Sequence, residues 1–413
     1  MQWLRSDDTW HAWQSFFFID SHALSRRVSS PWGGRGVDFS NDLGETVCGP
    51  GDTLVSVAHH VADPSCSEEL GGGLPGNPVT FVLYMITGSP LIEAASGIIG
   101  AGTETPEMPG RETSSSDTKE DASFGDIVRA YLTLTKPKVI VLLEIPTLAA
   151  MLIAQPELPV WWLVLVTLLA GAMAAGGSAA INCFVDRDID ALMGSRTQQR
   201  AIPAGLVSPH GALTFGVVLS VTSVGLLWTV VNPLAAFLTA IAIFIYVAIY
   251  TLWLKRTTPS NIVLGGAAGA IPPLIGWAAV TGDLSATPWL LFSLVFFWTP
   301  PHFWALSLLI HQQYARARIP MLPVVRGEPE TRRQIVLYTL QMIAVSLLLF
   351  GFGGAGVIYL VGSALLGGYF LYLAVDLMLH PSSPKASWLF HYSMIYLTAL
   401  CVVIVADYRI SIW

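Results

Sequence analysis

The chain has 413 residues, 53% of them hydrophobic and only 12% charged, with a mean hydropathy of +0.59; soluble domains carry roughly 25% charged residues, so a water-soluble globule is excluded. The formal charge of -7 describes no single region, because the acidic residues are concentrated in the first 126 positions and in one later cluster, and it calls for no nucleic-acid partner. Four scattered cysteines, Cys48, Cys66, Cys183 and Cys401, form no CxxC and no zinc-like spacing, which argues against a disulfide framework or a thiolate metal site.

In chain order, Met1 to Trp10 carries Arg5, Asp7 and Asp8 and lacks the apolar core of a secretory signal. Residues 1–124 form an N-terminal extension rich in Gly, Ser, Pro and Asp/Glu. Within it, 102–123 has too little apolar surface to offset ordering entropy and reads as a flexible linker. The run 79–102 is moderately apolar, but its Gly and Ser residues, Pro90 and Glu93 favour a loop or surface helix over a membrane span.

From 125 to 413 the pattern is that of an all-α polytopic membrane domain. Nine apolar runs lie near 139–155, 160–182, 211–231, 234–254, 260–280, 288–310, 335–353, 355–378 and 388–407. Each is long enough to cross a hydrocarbon core of roughly 30 Å, and each must be helical because lipid cannot satisfy free backbone groups. Pro146, Pro272, Pro273, Pro300 and Pro301 fall inside these runs and predict kinks toward a cavity. Arg187, Arg196, Arg200, Lys255, Arg256, Arg316, Arg318, Arg326, Arg332, Arg333 and Lys385 all occupy connections on one side. That side is expected to be cytoplasmic, which places the N-terminal region inside and Trp413 outside.

The second run ends in Asn182-Cys-Phe-Val-Asp186-Arg-Asp188-Ile-Asp190. Spacing of four puts Asn182, Asp186 and Asp190 on one stripe over two helical turns at the membrane surface. Clustered oxygen ligands repel one another unless a hard cation joins them, and Mg²⁺ with a diphosphate suits a site of one or two carboxylates. An acidic, solvated helix end with an Asp188–Arg187 pair is the plain alternative. Arg196 and Arg200 follow directly, and guanidinium forks match phosphate oxygens, although both could serve only as topology signals. Lys255, ending the fourth run, is placed for phosphate or for snorkelling. His302, beside Pro300-Pro301 in the sixth run, is an ionisable group inside the membrane and so a functional candidate. It could equally be satisfied by a carbonyl, and Trp298, Phe303 and Trp304 could be packing. Glu144 in the first run needs a partner that the sequence does not name.

These residues resemble the UbiA superfamily of intramembrane prenyltransferases, whose first motif, NxxxDxxxD, is met at Asn182, Asp186 and Asp190. Within it the likeness is to the branch that makes heme O, through Leu134-Thr-Lys136-Pro-Lys138, Arg196 to Gly205, Tyr250 to Asn261, Gly265 to Trp277, Trp298-Thr-Pro-Pro-His302-Phe-Trp304 and Ile319-Pro-Met-Leu-Pro323. The resemblance spans about 125 to 413. It implies nine helices around a central cavity, Mg²⁺ on Asp186 and Asp190 supported by Asn182, and diphosphate on Arg196, Arg200 and Lys255. It further implies farnesyl diphosphate and heme b as substrates, heme on His302 and Trp298, a lipid bilayer in the inner (plasma) membrane as surroundings, and a heme A synthase as partner. Prenylation of a quinone or chlorophyll precursor is the rival within the superfamily, and an ion-coupled transporter the rival outside it. One departure stands out: where the family has a second acidic motif, Lys-x-Asp-Tyr, the chain reads His311-Gln312-Gln313-Tyr314, and an amide cannot supply the carboxylate's charge.

Overall fold

The computed structural model describes residues 124–411, apart from the side chains of Ser195, Arg196 and Ser411. The readings made of 1–123, including the linker and the run 79–102, lie outside the described residues, as does Trp413.

Every described element is a helix. A short α1 (Phe124–Leu134) precedes α2 (Pro137–Ile153), whose 17 residues cover about 26 Å at 1.5 Å per residue. Among the described residues eight helices, α2 not being one of them, are long and apolar enough to cross a membrane. They are α3 (Trp161–Val185), α6 (Pro209–Val231), α7 (Pro233–Thr257), the pair α8 (Asn261–Ala270) and α9 (Pro272–Thr281), α10 (Ala286–Leu309), α13 (Gly327–Phe352), α14 (Val357–Leu379) and α15 (Ser383–Ser411). With α2 they match the nine expected runs in order. The chain is a multi-pass membrane protein.

Two boundaries differ from expectation. Helix α13 starts at Gly327, eight positions before the apolar run, because charged residues hide the first two turns from a hydropathy reading. Glu328 meets Arg332 at 3.0 Å and Glu330 meets Arg333 at 3.5 Å, pairs that support a helix while the two acids sit at its positive end. The fifth span does not kink at Pro272 and Pro273 but breaks before them, and the prolines open α9 where their missing N–H groups cost nothing. Pro146, Pro300 and Pro301 do lie inside helices.

Successive spans pack as neighbours, and α15 returns against α2, closing the set into a ring. Arg409 of α15 fastens this closure by donating to the backbone oxygens of Leu152, in the last turn of α2, and of Pro156, just past its end. At the same end Asp407, 1% exposed, accepts from the backbone N–H groups of Gly356 and Tyr359 and so caps α14 from another helix. Outward faces carry Trp161, Leu165, Val221, Trp228, Phe237, Phe244, Trp253, Val361 and Leu365, all exposed, as a lipid-facing surface requires.

Helices α3 and α6 approach backbone to backbone. A Cβ on Gly177 would meet Ser220 Oγ at 2.6 Å and the Gly216 carbonyl at 2.7 Å, and one on Gly216 would meet the Gly177 carbonyl at 2.7 Å. Only residues without a side chain allow backbones this near. Asn182 lies one and a half turns beyond Gly177, so this contact sets the position of the first motif.

Candidate active site

Asn182, Asp186 and Asp190 are brought together, buried at 4%, 1% and 1% exposure. They do not share one continuous helix. Helix α3 ends at Val185, Asp186 takes φ -87° and ψ 7° between helices, and α4 (Arg187–Met193) begins immediately after it. The i to i+4 register survives the break, because Asp186 N–H donates to Asn182 O at 2.9 Å and Asp190 N–H to Asp186 O at 2.8 Å. The acids are therefore inside the protein rather than on a solvated surface.

Their charges are answered by three remote elements. Lys255, carried to the site by the π-helical end of α7 (Ile245–Leu254), forms an ion pair with Asp186 Oδ2. Asn182 Nδ2 donates to the same oxygen at 2.7 Å and shares Thr251 Oγ1 at 3.2 Å, while its Oδ1 accepts from Lys136 Nζ at 3.1 Å. Arg200 pairs with Asp190 Oδ1 at 2.5 Å. Burial alone would lower the Arg200 guanidinium, but the Asp190 charge and hydrogen bond outweigh it and hold the pKa above its usual value. Arg196 lies in a single turn, α5 (Ser195–Gln198), and its side chain lies outside the described residues.

Asp188 points away, its side chain 59% exposed, and binds Arg256 through two hydrogen bonds of 2.8 Å. Those bonds hold its carboxyl below the ordinary range despite partial burial. Arg187 is not its partner; that guanidinium donates to Phe184 O at 2.8 Å and lies over the Phe184 ring.

What remains decides the chemistry. Asp186 Oδ1 and Asp190 Oδ2 are buried with no hydrogen bond, the former 3.9 Å from Arg256 Nη2. Orphaned buried anions are costly, so a ligand that takes them is expected. No group of three or more His, Cys, Asp or Glu side chains able to hold a metal occurs among the described residues. Two hard oxygens with cationic side chains beside them therefore fit Mg²⁺ that is completed by phosphate oxygens and water, not an all-protein cage.

Sequence reasoning missed three members. Lys136 precedes Pro137 yet holds a left-handed backbone, φ 54° and ψ 61°, which is unfavourable without glycine and doubly so before proline. Such strain accompanies functional positions, and its ammonium reaches Asn182. Thr251 supports Asn182 and donates to Tyr246 O at 2.8 Å. Tyr314, in α11 (His311–Arg316), is 6% exposed, and its phenol is pushed up to about 12, chiefly by burial, with Asp186 and Asp190 adding to the rise.

The departing loop packs against α4, and Gln313 comes within 3.9 Å of where a Gly194 Cβ would sit. His311 has Nδ1 2.9 Å from Leu308 O and Nε2 3.8 Å from Glu328, on a cavity of about 600 Å³ also lined by Gln312, Gln313, Arg316 and Arg332. Glu144 Oε2 is buried without a hydrogen-bond partner among the described residues.

The sequence model of the UbiA prenyltransferase family matches residues 143–398. The chain belongs to that family. UbiA relatives named protoheme IX farnesyltransferase include those of Chloroflexus aurantiacus, 48% identical over 71% of this chain and 50% of that one, and Synechocystis sp., 48% identical over 71% and 94%. The Gloeobacter violaceus protein of the same name is 50% identical over 67% of this chain and 91% of its own. The chain spans about half the length of the Chloroflexus relative and most of the other two. Solved UbiA-like folds include a digeranylgeranylglyceryl phosphate synthase, TM-score 0.58 and 17% identical over 69% of this chain and 99% of that one. A UbiA homologue from Archaeoglobus fulgidus bound to GPP and Mg²⁺ has TM-score 0.50 and 15% identity over 67% and 99%. These two speak to the fold alone.

Proposed function

We propose that this UbiA protein transfers the farnesyl group of farnesyl diphosphate to a vinyl group of heme b, with Mg²⁺ as cofactor, giving heme O for terminal oxidases. The curated relatives above carry that activity in their names. The observation that carries the reading is the pair of buried aspartates, each with one oxygen held by a cation and one without a hydrogen bond.

Asp186 and Asp190 would hold Mg²⁺, which supplies charge to the departing diphosphate. Asn182 keeps Asp186 in place and is itself fixed by Lys136 and Thr251. Lys255 and Arg200, with Arg196, offer donors to the phosphate oxygens as the carbon–oxygen bond to farnesyl breaks. The electron-rich vinyl group attacks the allylic carbon, water adds to the remaining vinyl carbon and loses a proton, and diphosphate leaves. No nucleophilic side chain is required. Tyr314 stays a neutral phenol beside the acids and adds no charge. His302 and Trp298 are assigned to the heme. The acids and basic loops are taken as cytoplasmic in the inner membrane, with the C-terminus outside and a heme A synthase as the consumer of the product.

The test uses the full chain in lipid nanodiscs with Mg²⁺, farnesyl diphosphate and heme b. The expected product is heme b plus one farnesyl group and one hydroxyl by mass. Prenylation of a phenolic quinone precursor with heme untouched would instead support the rival acceptor.

Residues 125–413 are proposed to carry the whole reaction, since every motif and the family match lie there. A chain beginning at Ser123 should keep turnover once stably inserted, and a correctly inserted but inactive truncation would refute this. Gln313→Asp adds a charged oxygen beside the first motif and should lower the Mg²⁺ concentration for half-maximal rate by roughly 3- to 10-fold. An unchanged or higher requirement would remove this loop from the metal's surroundings.

A further inference from the structure

Spans α10 and α15 are joined at a polar cluster that the diphosphate site does not use. Trp298 Nε1 donates to Ser393 O at 2.7 Å, and His302 Nδ1 lies 2.6 Å from Ser393 Oγ, which in turn donates to Phe390 O at 2.6 Å. Ser393 is fully buried. The imidazole is stacked between Trp298, centroids 4.5 Å apart at 16°, and Phe390, 4.7 Å apart at 24°.

The protons can be counted. A serine hydroxyl has one, and a backbone carbonyl can only accept, so the Ser393 proton goes to Phe390. The short contact to His302 then requires Nδ1 to bring its own proton. In its neutral form the ring has only that one N–H, which leaves Nε2 as a bare lone pair. His302 also hydrogen-bonds the Phe390 backbone carbonyl, and with the ring half-buried Nε2 is not one of the polar atoms sealed away without a partner. Stacking fixes the plane of the ring but not which edge faces α15, since a half-turn about the ring axis keeps the same plane. The Ser393 hydroxyl decides between the two edges. Histidines that ligate metals show the same arrangement, with one nitrogen tied as a donor so that the other is presented.

We propose that Ser393 is a positioning residue for the acceptor: it holds His302 with Nδ1 protonated and Nε2 presented as the ligand to the heme iron. This rests on the heme-farnesylation reading. The aromatic rings of Trp298 and Phe390 keep the imidazole plane, Ser393 selects tautomer and edge, and the iron bond places the porphyrin so that its vinyl group meets the farnesyl carbon.

The full chain in nanodiscs, titrated with ferric heme b and followed by absorption and electron paramagnetic resonance, tests this. Wild type should show a nitrogen-ligated signature that His302→Ala loses and added imidazole restores. Ser393→Ala should raise the Kd and KM for heme roughly 10-fold and alter the signature while the KM for farnesyl diphosphate stays unchanged; Ser393→Thr, which keeps the hydroxyl, should behave as wild type. Melting temperatures of each variant separate this from misfolding. A signature that survives His302→Ala, or a Ser393→Ala protein with wild-type heme signature and KM, would overturn the proposal. Wild type that makes farnesylated heme without a His302-dependent signature overturns the ligand role alone, whereas wild type that prenylates no vinyl porphyrin overturns the reading beneath it.

Discussion

Asp186→Asn and Asp190→Asn should each lower farnesyl transfer by roughly 10²- to 10³-fold, and the double variant should be inactive. Asparagine is the informative replacement because it keeps the shape and one acceptor oxygen while removing the charge that a cation needs. Alanine at 186 would also strand Lys255, a side chain only 12% exposed, and an unpaired buried charge of that kind costs on the order of 3–5 kcal/mol. Initial rates of labelled farnesyl incorporation, with insertion and melting temperature checked for each variant, measure the effect. Near-normal rates in both single variants would mean that the diphosphate is held elsewhere.

Gly177→Val should cost the protein its assembly. The new side chain would have to occupy the space of Ser220 Oγ and the Gly216 carbonyl, both under 3 Å from its Cβ, and backbone cannot move aside as a flexible side chain can. Forcing α6 away from α3 is expected to destabilise by about 3 kcal/mol or more, at the upper end of overpacking effects. Asn182 would shift with it, so activity should fall together with thermal stability in detergent. A melting temperature equal to wild type would show that the two helices do not meet backbone to backbone.

The sequence made local features legible and distant ones obscure. Asn182, Asp186 and Asp190 could be read as one group because a spacing of four survives even the helix break at Asp186. Lys255 was legible because it ends an apolar run on the same side as the acids. Lys136 and Thr251 were not, since each meets Asn182 across tens of residues, and no periodicity encodes such a pairing. The left-handed backbone of Lys136 before a proline shows only in the fold. Tyr314 stood in plain view beside Gln313 but entered the site only when α11 packed against α4. The start of α13 was hidden for the opposite reason: its charges masked a helix that they in fact stabilise. His302 and Trp298 were legible as candidates, while the proton count that orients the imidazole depends on Ser393, 91 positions away.

The central claim is that Asp186 and Asp190 bind the prenyl diphosphate through a shared hard cation. Equilibrium binding of farnesyl thiodiphosphate, an unreactive analogue, to the full chain in nanodiscs tests it without any dependence on the acceptor. Binding should appear on adding Mg²⁺, vanish with a chelator, and be lost in the Asp186→Asn, Asp190→Asn double variant even at saturating Mg²⁺. Tight binding that ignores chelation, or that persists in the double variant, would contradict the claim.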